Sequence, residues 1–456
     1  MGSLNRRKFI KTATIAGAGI ALTPKLISAD QKVRFQRSKP NGKLNIAFIG
    51  VGGRGRHHLR NVVKYNDVEI TAICDVDPEA ITKAQKDLRD NSRKEATVYS
   101  NDDYAFIKML ERDDIDGVII ATPWLWHTRM AVEVMRAGKY AGVEVSAANT
   151  IEECWDLVNT YEETGVPCMI LENVCFAREA MAALKMVRDG LFGEIVHSTT
   201  GYQHDLRGVK FQPGVEFGKN AIGESRWRTE HSLKRNGDLY PTHGVGPVAT
   251  WLNINRGNKF ASMTSVATKS TSLHHYIVNH PQGGKDHPNA KLEWKLGDII
   301  TSIIKTANGE TITVNHDTNL PRPYSWGFTL HGNEGVWGGD YEGKRIYIDG
   351  KSPEHEWETG AEYDKYFKKY DHKIWKEEAA KAEGAGHGGI DYFTIKSFLE
   401  SVRNEVQPPL DVYDAAAWSA ITPLSEASVA SNGSPQFFPD FTRGKWMTNK
   451  PIFGLE

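Results

Sequence analysis

Leu44-Asn45-Ile46-Ala47-Phe48-Ile49-Gly50-Val51-Gly52-Gly53-Arg54-Gly55 decides the fold. Six mostly apolar residues read as a short buried strand, and Gly50 to Gly55 then satisfy G-x-G-x-x-G. Residues 56–65 can continue as a helix and 69–74 as a second strand, so the glycines sit at a strand–turn–helix junction. There Gly50 permits the tight turn, Gly52 the close approach of a pyrophosphate, and Gly55 the packing of helix on strand. Free N–H groups at the helix start then meet the phosphate oxygens. Asp75 ends the second strand, where a carboxylate can accept both hydroxyls of a ribose. The same carboxylate repels a 2′-phosphate, and no arginine follows at Val76 or Asp77, so the predicted cofactor is NAD rather than NADP.

The pattern continues outward. Helices at 80–90, 104–110, 128–137 and 151–164 alternate with strands at 96–99, 117–121, 140–145 and 168–171, which predicts a doubly wound parallel sheet of Rossmann type over 43–172. From 173 to 456 the rhythm changes. A helix at 177–188 precedes strand-like runs at 195–202, 261–268, 299–306, 311–315, 324–331 and 344–349, with Asn308-Gly309 as a hairpin turn. This half reads as a substrate-binding α+β domain with an open, mostly antiparallel sheet. Late helices at 390–403 and 415–430 pack back across both domains.

Residues 1–30 read as an export signal. Asn5-Arg6-Arg7-Lys8-Phe9-Ile10-Lys11 precedes a mild apolar run at 12–23 that is too short and too glycine-rich to span a bilayer, and Ile27-Ser28-Ala29 offers small residues for cleavage. The adjacent arginines resemble a twin-arginine signal, with a Sec signal as the alternative, and the expected destination is the periplasm. Residues 31–42 read as a linker. Of 456 residues, 40% are apolar and 25% charged with a net charge of −1, which leaves no electrostatic footprint for nucleic acid. The expected partner is a small molecule or neutral glycan, and a homo-oligomer through the second sheet is possible. Cys74, Cys154, Cys168 and Cys175 form no C-x-x-C or Cys/His cluster, so they read as buried free thiols and no metal site is predicted.

Thr122-Pro123-Trp124-Leu125-Trp126-His127 resembles the T-P-x-x-x-H segment of the glucose–fructose oxidoreductase/inositol dehydrogenase family. That family usually ends a later strand in E-K-P, its lysine near the reacting alcohol. Glu144-Val145-Ser146 keeps the glutamate and replaces the ammonium by an apolar side chain. One branch shares the departure. The strings at 142–146, 171–175, 201–207, 227–229 and 236–247, with Arg322-Pro323-Tyr324, 384–389 and 409–413, are similar to glycoside hydrolase family 109 from about Lys43 onward.

The resemblance implies an α-N-acetylgalactosaminidase that uses tightly bound NAD without net redox change. It puts cofactor contacts on Gly53, Arg54, Asp75, Trp124, Leu125, Trp126, His127, Glu144, Val145 and Asn173, beside Gly50, Gly52 and Gly55. It puts sugar contacts on Tyr202, Arg228, Tyr240, Pro241, Thr242, His243 and Tyr324, with Tyr202 and His243 as the catalytic pair. The implied route oxidises the sugar at C3, removes the acidified C2 proton, expels the C1 group, adds water and reduces C3 again. His243 falls in a Pro/Gly-rich segment rather than on an apolar helix face, and His387 reads as a turn former. Alternatives are a carboxylate pair drawn from Asp205, Glu224, Glu230 and Asp238, a sugar dehydrogenase, and a non-catalytic sugar-binding protein.

Overall fold

The computed structural model describes residues 35–37, 42–212, 217, 221–340 and 343–455. The leader at 1–30 and most of the linker lie outside these residues. Residues 33–456 form one compact unit. Inside the stretch read as linker, Phe35 and Arg37 are buried: Phe35 packs edge-on against Tyr140, and the Arg37 backbone N–H donates to Glu405 Oε1.

Strands β1 (Leu44–Ile49), β2 (Val68–Cys74), β3 (Thr97–Tyr99), β4 (Gly117–Ile120), β5 (Tyr140–Val143) and β6 (Cys168–Ile170) make a six-stranded sheet in the order β3-β2-β1-β4-β5-β6. Every pairing is parallel. Strands such as Gly117-Val118-Ile119-Ile120, buried throughout, need cover on both faces, and the intervening helices supply it. Local chemistry sets several helix starts. Asp77 accepts from the N–H groups of Glu79 and Ala80, and Thr150 from that of Glu153. The helix Trp124–Arg136 begins four residues before the predicted start, directly after Pro123, which stands outside it as the N-cap.

The second sheet has nine strands: β7 (Ile195–Gln203), β8 (Phe260–Ala267), β9 (Ile299–Thr306), β10 (Thr311–Asp317), β11 (Thr329–Gly332), β12 (Gly335–Asp340), β13 (Gly343–Ile348), β14 (Glu358–Thr359) and β15 (Gln436–Phe437). Their order is β14-β13-β12-β11-β7-β10-β9-β8-β15. Only the β7–β10 pair is parallel, so the sheet is mixed and mostly antiparallel. Along β9, Ile300, Ser302 and Ile304 face the core while Ile303 and Lys305 face out, the alternation of a sheet covered on one face.

Several elements differ from the sequence reading. The strand expected from 324 is reduced to a bridge between Ser325 and Gln203, with pairing resuming only at Thr329. Pro323 has no N–H to give, and Gly327 takes a φ of +61°. β12 was hidden by its glycines and is anchored by buried Trp337. The helix expected at 415–430 is two, Val412–Ser419 and Ile421–Ala430, since Pro423 cannot donate to the turn before it. The helix Ile390–Asn404 lays Phe398 across β4 and β5, where a Cβ on Gly117 would lie 3.2 Å from the ring and one on Gly142 2.7 Å from it. Burying such a ring is worth about 1.5–3 kcal/mol.

Candidate active site

The nucleotide loop forms as its glycines require. Gly50 has a φ of +85°, and a Cβ on Gly55 would come within 1.9 Å of the Gly50 carbonyl oxygen. Added methyl groups at Gly52 and Gly53 would meet nothing within 4 Å, so the loop opens onto free space at the start of the helix Gly53–Val62. The first N–H groups of that helix have no intrahelical acceptor. Asp75 stands beside them, accepting from the Val51 N–H at 2.7 Å and the Asp77 N–H at 2.9 Å, and burial raises its pKa. Open glycines, helix N–H groups and a strand-end carboxylate fit a dinucleotide.

Behind the loop, Arg54 joins the end of β5 to the late helix Ile390–Asn404. Its Nε lies 2.6 Å from Glu144 Oε1, and its two terminal nitrogens meet Asp391 at 2.9 and 3.0 Å. His58 also bonds Glu144 at 2.6 Å, His57 and His387 bond Asp391, and Asn173 Nδ2 donates to Asp391 Oδ1. Burial alone would raise both carboxylates; Arg54 and His58 outweigh it at Glu144, and His387, His57 and Arg54 outweigh it at Asp391, so both pKa values lie well below the usual range. Arg54, Glu144 and Asn173 therefore form the wall behind the loop. Asn173 opens a short 3₁₀ turn whose cap is Glu172, not itself. His387 does more than turn the chain, since it fixes the Asp391 carboxylate.

The T-P-W-L-W-H segment separates its side chains. Leu125 points out and is 62% exposed, while Trp126 packs on Tyr104 and beneath Arg129. His127 is buried, its ring nitrogens 2.8 Å from the Ser146 carbonyl oxygen and 2.7 Å from that of Thr122, so it clamps two loops together. Val145 is buried, and its N–H donates to Glu144 Oε2. Trp124 turns toward the second sheet, stacked 5.5 Å from Tyr240 and 4.7 Å from the Arg228 guanidinium carbon.

That contact opens the sugar side. Tyr202 on β7 lies 4.7 Å from Tyr240, 5.5 Å from His243 and 5.9 Å from Tyr324, ring centre to ring centre. Arg228 is buried over Trp124, Trp227 and Tyr240 and donates to Glu224 at 2.5 Å. Pro241 caps, and Thr242 starts, the helix Thr242–Trp251, which puts His243 in a first helical turn rather than in an irregular segment. The glycines there are packing residues. A Cβ on Gly244 would strike Thr200 and Gly201 of β7, and one on Gly246 would press on Cys175, Glu172 and Trp418. This close approach sets His243 beside Tyr202 and delivers its Nδ1 to both oxygens of fully buried Glu172, at 2.8 and 2.9 Å. Burial pushes the Tyr202 phenol up to about 12, with Arg228 pulling the other way.

Glu172 and His204 were not singled out from sequence. Glu172 had a signal, a carboxylate just past the end of a parallel strand. His204 accepts or donates at 3.1 Å to the Tyr202 hydroxyl and tilts against Tyr324 at 4.6 Å. Of the carboxylates of the alternative route, Asp205 pairs with Arg207, Glu224 with Arg228 and Glu230 with Lys234, while buried Asp238 accepts the Tyr240 N–H through Oδ1 and burial raises its pKa to about 7. The four cysteines are buried and free. His57, His387 and Asp391 bring ligand-type atoms within 4.8 Å of one another, but the Arg54 guanidinium already sits on the Asp391 carboxylate. Among the described residues no helix is long and apolar enough to cross a membrane.

Comparison with known proteins places these features. Residues 44–172 match the oxidoreductase family with an NAD-binding Rossmann fold, and residues 176–448 match the C-terminal domain of glycosyl hydrolase 109. An alpha-N-acetylgalactosaminidase of Tannerella forsythia is 50% identical, with 99% of each chain covered. A glycosyl hydrolase family 109 protein of Parabacteroides distasonis is 47% identical over the same shares. Among solved structures, a levoglucosan dehydrogenase in complex with NADH and L-sorbose shares the fold, with a TM-score of 0.66 at 19% identity over 88% of this chain and 100% of the other. The chain belongs to glycosyl hydrolase family 109, as a glycoside hydrolase built on an NAD-binding fold.

Proposed function

We propose that the protein is an exported α-N-acetylgalactosaminidase that releases terminal N-acetylgalactosamine by elimination and re-addition across C1–C2 of the sugar. The observation that carries this reading is the pairing of Tyr202 with the His243–Glu172 dyad. The 50% identity to a protein of that named activity supports the substrate.

When bound, NAD supplies a reversible hydride acceptor for the sugar's C3 carbinol carbon. Gly50 to Gly55 and Asp75 would hold it. Glu172 keeps the His243 Nδ1 engaged and leaves Nε2 to take the C3 hydroxyl proton. While C3 carries a carbonyl, the C2–H is acidic because its carbanion is an enolate, and Tyr202 removes that proton. The enolate expels the C1 substituent, water adds to C1, and Tyr202 returns a proton to C2. Arg228, a fixed guanidinium among Trp124, Trp227 and Tyr240, suits the acetamide carbonyl, and the aromatic rings suit the sugar's apolar face. A positioned acid or base gives about 10²–10⁴ in rate, so the carbonyl at C3 carries most of the activation.

Turnover of a nitrophenyl α-N-acetylgalactosaminide in D₂O tests the reading. Deuterium should enter C2 of the released sugar, a C2-deuterated substrate should react more slowly, and the 3-O-methyl glycoside should be inert. Cleavage of the 3-O-methyl glycoside with the C2 hydrogen retained and no isotope effect overturns it. We infer also that two chains associate through the uncovered face of the nine-stranded sheet, where Val266 and Ile303 on adjoining strands are exposed; a monomer by sedimentation removes that inference.

A further inference from the structure

Tyr202 is buried, and among the described residues the hydrogen-bond partner of its hydroxyl is the Nδ1 of His204. His204 is the first residue past β7, two positions beyond Tyr202, and the two ring centres lie 5.7 Å apart. The His204 backbone N–H donates to the Asp317 carbonyl oxygen at 2.8 Å, and its ring rests on Tyr324, so the imidazole is fixed from both sides. Unlike Tyr202, His204 is only part-buried and reaches solvent. We propose that His204 is the relay through which the buried Tyr202 hydroxyl exchanges its proton with water. This rests on Tyr202 acting at C2.

The atoms balance as follows. The C2–H proton moves to the phenolic oxygen, and its electron pair forms the enolate that expels the C1 group. The original phenolic proton moves to Nδ1, and the Nε2 proton leaves to water. While the unsaturated sugar persists, the imidazole regains its Nε2–H form through water and accepts the former C2 proton from the phenol in exchange for a solvent-derived one, which Tyr202 then returns to C2. Nδ1 must be an acceptor for this, which requires neutral imidazole. Burial first and Arg228 second hold the pKa of His204 below its ordinary value, with His243 acting in the same sense and Asp205 and Glu224 opposing. Without the relay, a proton taken from C2 has no route off Tyr202 and returns to the carbon it left.

The test uses the NAD-loaded full chain with the nitrophenyl glycoside in D₂O, reading C2 hydrogen in the released sugar by NMR. His204→Asn keeps an oxygen where Nδ1 was but cannot pass a proton on. His204→Ala leaves a space that added imidazole can enter. Bound NAD per chain reports whether each variant is folded. The wild type should label C2. H204N should turn over about 10–100-fold more slowly and return mostly unlabelled sugar. Imidazole should restore both rate and label to H204A. Full labelling by H204N, or an H204A indifferent to imidazole, overturns the relay. A wild type with a C2 isotope effect but no label overturns the relay alone, whereas neither effect nor label removes the C2 chemistry beneath it.

Discussion

The Nδ1 of His243 lies 2.8 and 2.9 Å from the two oxygens of Glu172, whose Oε1 also accepts the Val174 N–H. The carboxylate is thus held by backbone on one side and fixes the imidazole on the other, which sets which ring nitrogen faces the substrate. Glu172→Gln keeps the shape and loses the charge. It should lower kcat by about 10²-fold with KM little changed. Steady-state kinetics decide: a loss carried mainly by KM would make the pair a packing contact.

Asp75→Ala should reduce the NAD that co-purifies. A hydrogen bond to a charged group is worth about 1.5–3 kcal/mol, or roughly 10–150-fold in retention. Mass spectrometry of the denatured protein's supernatant measures it, and unchanged occupancy would place the ribose elsewhere.

Acid should unfold the protein through the network around Arg54. Glu144 and Asp391 have depressed pKa values in the fold, so their contribution is complete above the unfolded carboxylate value of about 4 and drains away below it. His58, held neutral chiefly by burial, takes up its proton more readily when unfolded, so loss begins below about pH 6.5. Arg54→Met should cost about 3 kcal/mol at neutral pH and flatten this acid slope. Urea midpoints between pH 4 and 8 should show both changes; parallel curves would refute the assignment.

Lys210 carries the same sign into the alkaline range. It is buried, donates to Thr318 Oγ1 and Asn319 Oδ1 at 2.7 Å each, and has its pKa lowered to about 7 by burial first and Arg228 second. Between pH 7 and about 10 the unfolded chain binds the proton that the folded one has released, so stability should rise with pH there. Lys210→Met should lose that rise. Equal urea midpoints for the wild type at pH 7 and 9.5 would contradict it.

Export should depend on Arg6 and Arg7. Changing both to lysine keeps the charge of the segment and removes the arginine pair. Normal periplasmic amounts of the double variant would favour the Sec route instead.

The nucleotide half was legible because its signals are local. Apolar runs, a glycine fingerprint and capping residues such as Asp77 and Thr150 each act within a few residues of themselves. On the sugar side, the segment around His243 read only as Pro/Gly-rich, and the helix Thr242–Trp251 with its packing glycines shows once β7 and Glu172 are seen pressing on Gly244 and Gly246. His204, Glu172 and His387 take their roles from partners distant in sequence or exposed by the fold, so spacing alone could not assign them. Trp124 was read for the cofactor, and its further contact with Arg228 and Tyr240 could be seen only in the fold.

Phe398, lying across the glycine positions of β4 and β5, gives the protein a timetable. The strands it covers are complete by residue 143, yet that face stays bare until a segment some 250 residues further on has left the ribosome. Asp391, the anchor for Arg54, emerges at the same late stage. A nascent chain therefore holds the whole nucleotide fingerprint long before it holds a finished nucleotide pocket. Capture of the dinucleotide belongs to the nearly complete polypeptide, and a fragment ending near residue 172 carries the motif while lacking the part that closes it.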